Sequence, residues 1–315
     1  MMNKFWMGFL LFAMVVIFSG CQAEPQNTAV PQSEIHIGIL PDVESIPLLI
    51  AESNGYFADA GVLVNLEIFR SARDRDSALQ SGQLDGMVTD MVAVFFANEG
   101  GFPLRMLAAT DGVIYWMAGK DAAVGNISEA EFYSVGLSLN TVMEYTLDAM
   151  LKQGGISIST VNKIAIPQIP TRLEMLQNGL VDLALLPEPW SSMAVESGAK
   201  IITSTDELGH KAGVIAFDES FVNTNPEAIT AVFQAYNQAV EYLNTAEPND
   251  YLDLVIEQFA FPDSVALMIQ LPVYKEASLP EANTFNLVQS WLREKTLIQK
   301  EWSYDQLVVQ NILKE

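Results

Sequence analysis

The sequence predicts a two-lobed α/β fold with mixed, largely parallel sheets and two crossings between the lobes. Three observations predict it. Apolar, β-branched runs alternate with helical segments at short spacing, the mark of an α/β domain. The motif L-Q-x-G-x-x-D occurs twice, as Leu79–Asp85 and Leu176–Asp182. Each copy follows a helix with an arginine in the same relative place, Arg75 and Arg172. The starts of the two halves also correspond. Ile37-Gly38-Ile39 leads to Pro41-Asp42, and Val135-Gly136-Leu137 leads to Leu139-Asn140. Self-similarity of this kind argues for two like units.

The chain has 315 residues, enough for two cores. Its first segment stands apart. Lys4 precedes the uncharged run Phe5–Phe18, which is shorter than the roughly 20 apolar residues of a spanning helix. It reads as a secretory leader. Phe18-Ser19-Gly20-Cys21 puts the one cysteine of the chain at the cleavage point. It resembles a bacterial lipobox, with Phe18 where leucine is commoner. We therefore expect a signal peptide over residues 1–20, lipidation of Cys21, and a flexible tether over residues 21–33, where the sequence is polar and carries two prolines. With no second cysteine, the body relies on its core for stability.

The body opens with the strand Ile35–Leu40, broken by Pro41-Asp42. Pro47 suits a first helical turn, and Asn54-Gly55 a stop. Val62–Phe69 reads as a strand, Ala72–Gln80 as a helix, Gly86–Val88 as a strand and Met91–Ala97 as a helix. The pattern then restarts near Asp121. Val113–Ala118 reads as one crossing and Ala212–Phe217 as the return. Helices are expected over Asn225–Leu243, Tyr251–Phe259, Ala282–Glu294 and the final stretch. Lobe one is thus residues 34–115 plus 218–315, and lobe two residues 116–217. Two crossings suggest a hinge that closes on a ligand.

In parallel sheets ligands bind beyond the carboxyl ends of the strands. The loops there supply the candidate ligand-binding residues. Lobe one offers Asp42, Ser45, Arg73, Thr89 and Asp90. Lobe two offers Asn140, Thr141, Glu144, Arg172, and Glu188 and Trp190 of the loop Pro187-Glu188-Pro189-Trp190. Trp116 lies at a crossing. Caps, local ion pairs and core packing are the competing readings for these side chains. For Arg73 and Arg75, in "ARDRD", a solvated helix face is the plainer reading.

The net charge is -23, which argues against nucleic acid and against anionic membrane surfaces. Catalysis is not expected. The chain has two histidines, His36 and His210, and its cysteine belongs to the leader. No metal or cofactor site is read, and no phosphate loop occurs.

The segments "IAESNGYFADAGVLVNLEIF" (Ile50–Phe69), "ALQSGQLDG" (Ala78–Gly86), "NTVMEY" (Asn140–Tyr145) and "LQNGLVDLALLPEPW" (Leu176–Trp190) resemble the NMT1/THI5-like, SsuA/TauA-like group of periplasmic-type binding proteins. The resemblance covers about residues 35–245. It implies the type II periplasmic binding fold and a monomeric, extracytoplasmic, lipid-anchored receptor. Its partners would be a small-molecule ligand and an ABC permease with its ATPase. Family ligands include alkanesulfonates, taurine, nitrate and aminopyrimidine precursors of thiamine. The family usually has Gly-Ser where this chain has Leu139-Asn140. Because the candidate loops carry Asp42, Asp90, Glu144 and Glu188 beside aromatic residues, the expected ligand is a neutral or cationic nitrogen heterocycle. A sulfonate, taurine or nitrate receptor is the alternative. A sensing lipoprotein without transport is a third reading.

Overall fold

A computed structural model describes residues 34–313 of the chain. The leader, Cys21 and the tether lie outside the described residues.

The strands are β1 (Ile35–Ile39), β2 (Val64–Ile68), β3 (Gly86–Asp90), β4 (Leu104–Ala109), β5 (Ile114–Ala118), β6 (Ser134–Leu137), β7 (Asn162–Ala165), β8 (Leu183–Pro187), β9 (Lys200–Ser204) and β10 (Gly213–Asp218). The helices that matter here are α1 (Ile46–Ser53), α2 (Ala72–Gln80), α3 (Met91–Glu99), α4 (Val142–Gln153), α5 (Ile169–Gln177), α6 (Trp190–Glu196), α7 (Pro226–Thr245) and α8 (Ala282–Glu294).

Two five-stranded sheets form, in the orders β2-β1-β3-β10-β4 and β7-β6-β8-β5-β9. The orders superpose term by term. In each sheet three parallel strands meet one antiparallel strand, β10 against β3 and β5 against β8. Central strands such as Leu183–Pro187 are buried along their whole length, as strands covered on both faces must be.

The two expected crossings are themselves strands. Ile114–Ala118 pairs with β8 and β9, and Gly213–Asp218 with β3 and β4. Their side chains are largely apolar and buried, and their polar backbone groups could not be buried with them without hydrogen-bond partners, so each inserts into a sheet. Residues 114–115 therefore sit in the second sheet and residues 213–217 in the first, opposite to the expected boundary. The joints between the sheets shrink to about Thr110–Val113 and Gly209–Ala212.

Helix α7 lies on α1, and α8 on α3. Both thus pack on helices that follow strands of the first sheet. After Glu294 a helical stretch is expected, but only Tyr304–Leu307 is α-helical. Among the described residues no helix is long and apolar enough to cross a membrane.

Candidate functional site

The repeat seen in the sequence builds the same device in each lobe. Arg75 on α2 donates from Nη1 to the carbonyl of Val88 at 2.7 Å. Arg172 on α5 donates from Nη1 to the carbonyl of Leu185 at 2.8 Å. Both guanidinium groups are buried at the carboxyl ends of the central strands. The aspartates of the motif are matched too. Asp85 accepts from the His36 N–H at 2.8 Å, and Asp182 from the Ser134 N–H at 2.9 Å. Gly38 and Gly136 admit the arginine stems. A Cβ at these positions would lie 3.0 Å from Arg75 Cγ and 3.4 Å from Arg172 Cγ.

Between the two strand-end regions runs a cleft of about 840 Å³, its mouth included. Lobe one lines it with Asp42, Glu44, Arg75, Thr89 and Asp90. Lobe two contributes Thr141, Tyr145 and Arg172, among apolar side chains. His210 and Lys211 enter from the second joint.

The lobe-one wall is a charged network. Arg75 also reaches Asp76 at 2.7 Å and Thr89 Oγ1 at 2.8 Å. Burial disfavours its charge, but Asp76, Asp90 and Asp42 raise its pKa. Burial pushes Asp90 up to about 6, against the pull of Arg75. Asp42 is raised well above its ordinary value by burial and by Glu44, and Glu44 is raised by burial. Glu44 accepts from Thr110 Oγ1 at 2.5 Å. Its side chain fills space that a Cβ at Gly112 or Gly213 would occupy. Lobe two is different. Arg172 meets the carbonyls of Ile166, Pro167 and Leu185, with no carboxylate among its partners. Burial lowers it to about 9. Tyr145 Oη lies 3.3 Å from His210 Nδ1, and burial pushes the phenol upward and the imidazole downward.

The cleft therefore brings together Asp42, Thr89, Asp90, Thr141 and Arg172 of the residues expected from the sequence. Asn140 borders a side chamber that shares Asp90 and Thr141 with it. Six expected residues are not on the cleft wall. Arg73 is exposed, on a different face of α2 from Arg75. Ser45 is buried behind Asp42, 3.3 Å from its carboxylate. Trp116 is fully buried in the lobe-two core. Glu144 is held by the Asn140 N–H, Lys163 and Lys295. Burial opposes its charge, but these donors outweigh it and hold the carboxyl at about 2.

Glu188 and Trp190 serve the contact between lobes. The Glu188 carboxylate takes the Ser191 and Ser192 hydroxyls, the Ser192 N–H at 3.0 Å and the Gln270 N–H at 3.1 Å. Its carbonyl accepts from the Val43 N–H at 3.2 Å. Trp190 Nε1 donates to the Pro41 carbonyl at 3.0 Å, and its ring packs on Phe261. The loop thus seals lobe two against the Pro41–Val43 loop of lobe one. On another side of the cleft, Asp148 of α4 accepts from Trp291 Nε1 at 2.9 Å and from Lys295 at 3.3 Å, both from the α8 region.

Sequence reasoning missed Arg75, Glu44, Tyr145, His210 and Lys211. One signal could have found Arg75: its exact counterpart, Arg172, was already a candidate. Among the described residues no group of His, Cys, Asp and Glu is placed to hold a metal.

Comparison with known proteins agrees with this architecture. A nitrate import ATP-binding protein NrtC of Synechococcus elongatus is 23% identical over 266 residues, covering 75% of this chain. The chain spans about two fifths of that relative, 39% of its length. The ligand-binding component of an ABC-type import system from Staphylococcus aureus superposes with a TM-score of 0.76 at 17% identity, covering 90% of this chain and 99% of that one. The aliphatic sulphonate binding protein SsuA of Escherichia coli gives 0.73 at 16% identity, covering 88% and 92%. The fold also occurs in the desulfurization enzyme DSZB, with a TM-score of 0.65 at 14% identity over 90% and 98%. The two-lobed architecture is thus that of the periplasmic binding proteins, and the fold alone does not separate receptor from enzyme. The NMT1-like family matches residues 28–255, most of the sequence, and the chain belongs to that family.

Proposed function

We propose that this chain is the extracytoplasmic solute-binding component of an ABC importer, and that its ligand is a small organic molecule bearing nitrogen donors, such as an aminopyrimidine. The observation that carries this reading is the cleft between two matched lobes, with Asp42, Glu44 and Asp90 on one wall. Carboxylates accept hydrogen bonds from amino and ring N–H groups. The interlobe position is where such folds bind small molecules. The family membership and the import-system relatives support the receptor class. Among the described residues, none lining the cleft pairs a nucleophile with a base and its orienting group, as hydrolytic chemistry would require.

In this reading, closure buries the ligand, and the contacts made only by the closed lobes drive it. Cys21 would tether the receptor to the membrane. A Cys21→Ser chain is expected in the soluble fraction, and its retention on membranes would remove the anchor from this scheme.

A second reading has one specific observation behind it. Arg172 is buried and has no acidic partner among the described residues, so an anion such as a sulfonate or nitrate would suit it. A thermal-shift screen of the purified chain separates the two, since a ligand of the folded state raises the melting temperature. Aminopyrimidines are expected to raise it. A rise with nitrate or alkanesulfonates alone would transfer the assignment to the anion reading.

A further inference from the structure

Glu188 is buried, 1% exposed, and neutral donors hold it. Its Oε2 takes the Ser192 N–H at 3.0 Å and the Ser191 hydroxyl. Its Oε1 takes the Gln270 N–H at 3.1 Å and the Ser192 hydroxyl. Each oxygen thus faces one backbone N–H, the first from its own helix and the second from a distant segment. A glutamine would turn an NH2 group toward one of these donors and leave it buried without an acceptor. The segment that brings Gln270 here has a definite course. It leaves lobe one at the end of α7, which packs on α1, and returns to it at α8. In between it reaches lobe two. Phe261 packs on the Trp190 ring, with centroids 4.9 Å apart, and the Met268 carbonyl accepts from Ser192 Oγ at 2.9 Å. It then crosses the first joint, where the Lys275 N–H donates to Asp111 Oδ2 at 2.7 Å. Tyr274 Oη donates to the Val43 carbonyl at 3.0 Å. The last links are on lobe one. Asn237 and Asn244 of α7 hold the Ala277 N–H and the Tyr274 carbonyl, each at 2.7 Å. The Ala109 N–H donates to the Ser278 carbonyl at 2.8 Å. Residues 268–281 form no regular helix or strand, and irregular stretches of such length in compact proteins are most often functional.

We infer that residues 261–278 are a strap, a third and non-covalent connection between the lobes, with Glu188 as its clasp on lobe two. The two covalent joints lie side by side, the Thr110 N–H donating to the Gly213 carbonyl at 3.1 Å. Adjacent joints leave two lobes free to pivot. A tie fastened to both lobes outside the joints limits that pivot, and unfastening the Gln270–Glu188 contact lengthens its reach. Glu188 is then a positioning residue for closure. It sets the share of closed protein, and so the apparent affinity for a ligand it does not touch. The inference rests on the hinged reading of the two lobes and not on the identity of the ligand.

The test uses the full chain with Glu188→Gln, and with Ser192→Ala, which removes the hydroxyl shared by Glu188 and Met268. Two quantities are measured in protein whose melting temperature shows it to be folded. The first is amide hydrogen exchange over residues 268–275. The second is the distance between spin labels on the two lobes, by pulsed electron resonance, in a Cys21→Ser background. The labels are carried by Ser53→Cys on α1 and Lys152→Cys on α4, both exposed positions. Glu188→Gln is expected to speed exchange in the strap about tenfold and to spread the label distances beyond those of the parent. Ser192→Ala is expected to do both to a smaller degree, about threefold in exchange, and decides the matter alone if Glu188→Gln does not fold. Exchange at the parent's rate in the folded variants overturns the inference. So does faster exchange with an unchanged label distance, since the strap would then not limit the lobes. The thermal-shift screen reads ligand binding independently, so either failure leaves the receptor reading standing.

Discussion

Arg75 and Arg172 occupy matching places in the two lobes, and each donates to a carbonyl 13 residues further on. Their surroundings do not match. Aligned on the paired glycines and arginines, the four acids Asp42, Glu44, Asp76 and Asp90 of lobe one correspond to Asn140, Val142, Leu173 and Pro187 of lobe two. The scaffold is repeated while the charge is not. The difference teaches that the arginines have a shared structural duty, closing off strand-end carbonyls, and that the field in the cleft is set by the residues around them.

The largest effect expected from breaking this comparison comes from the arginines themselves. Arg75→Gln leaves several buried carboxylates uncompensated and should cost about 3–5 kcal/mol of stability at pH 8. Arg172→Gln strands carbonyls only and should cost about 2–4 kcal/mol. Urea unfolding at two pH values separates the causes. At pH 5 the cost of Arg75→Gln should shrink, because Asp90, raised by burial to about 6, takes up a proton. The cost of Arg172→Gln should be the same at both, since Arg172, at about 9, is protonated throughout that window. Equal pH behaviour of the two variants would contradict the contrast drawn between the lobes.

Asp90→Asn comes next. The folded-state value of about 6 lies above the ordinary aspartate value of 3.8. The proton-linked contribution of Asp90 is therefore present below about pH 4 and lost as the pH rises through 6. The variant should be about 1–3 kcal/mol more stable than the parent at pH 8 and gain nothing at pH 4. Denaturation curves at the two pH values check this, and a loss of stability at pH 8 would mean that the Arg75 network needs the Asp90 charge.

Smaller effects are expected at the contacts between lobes. Trp190→Phe removes the hydrogen bond to the Pro41 carbonyl and should cost about 1 kcal/mol. Lys295 is partly exposed, so its pairs with Glu144 and Asp148 are discounted for solvent. Lys295→Met should weaken ligand binding about threefold without touching the cleft, by lowering the population of closed protein. Unchanged affinity would make this cluster part of a fixed interface.

The α/β alternation, the L-Q-x-G-x-x-D repeat and the strand-end rule were enough to give the fold and to place Asp42, Thr89, Asp90, Thr141 and Arg172 at the cleft. All depend on local period and on the spacing of apolar residues, which a chain carries openly. Arg75 stayed hidden because "ARDRD" has the composition of a solvated face; α2 turns one arginine to solvent and the next inward, and only packing against β1 and β3 decides which. The strands Ile114–Ala118 and Gly213–Asp218 were read as crossings because their partners are distant in sequence. Glu188 and Trp190 looked like ligand contacts because they follow a buried strand, yet their partners are Ser191, Ser192, Gln270 and Pro41.

The sequence by itself determined most of the elements, the duplicated plan and the matching positions of Arg75 and Arg172, since these follow from periodicity and a repeated motif. The tertiary structure alone decided which acids face the cleft and which are neutralised elsewhere. A carboxylate's role depends on the donors that surround it: Glu144 and Glu188 are met by lysines, hydroxyls and N–H groups from distant segments, while Asp90 and Glu44 each keep an oxygen free.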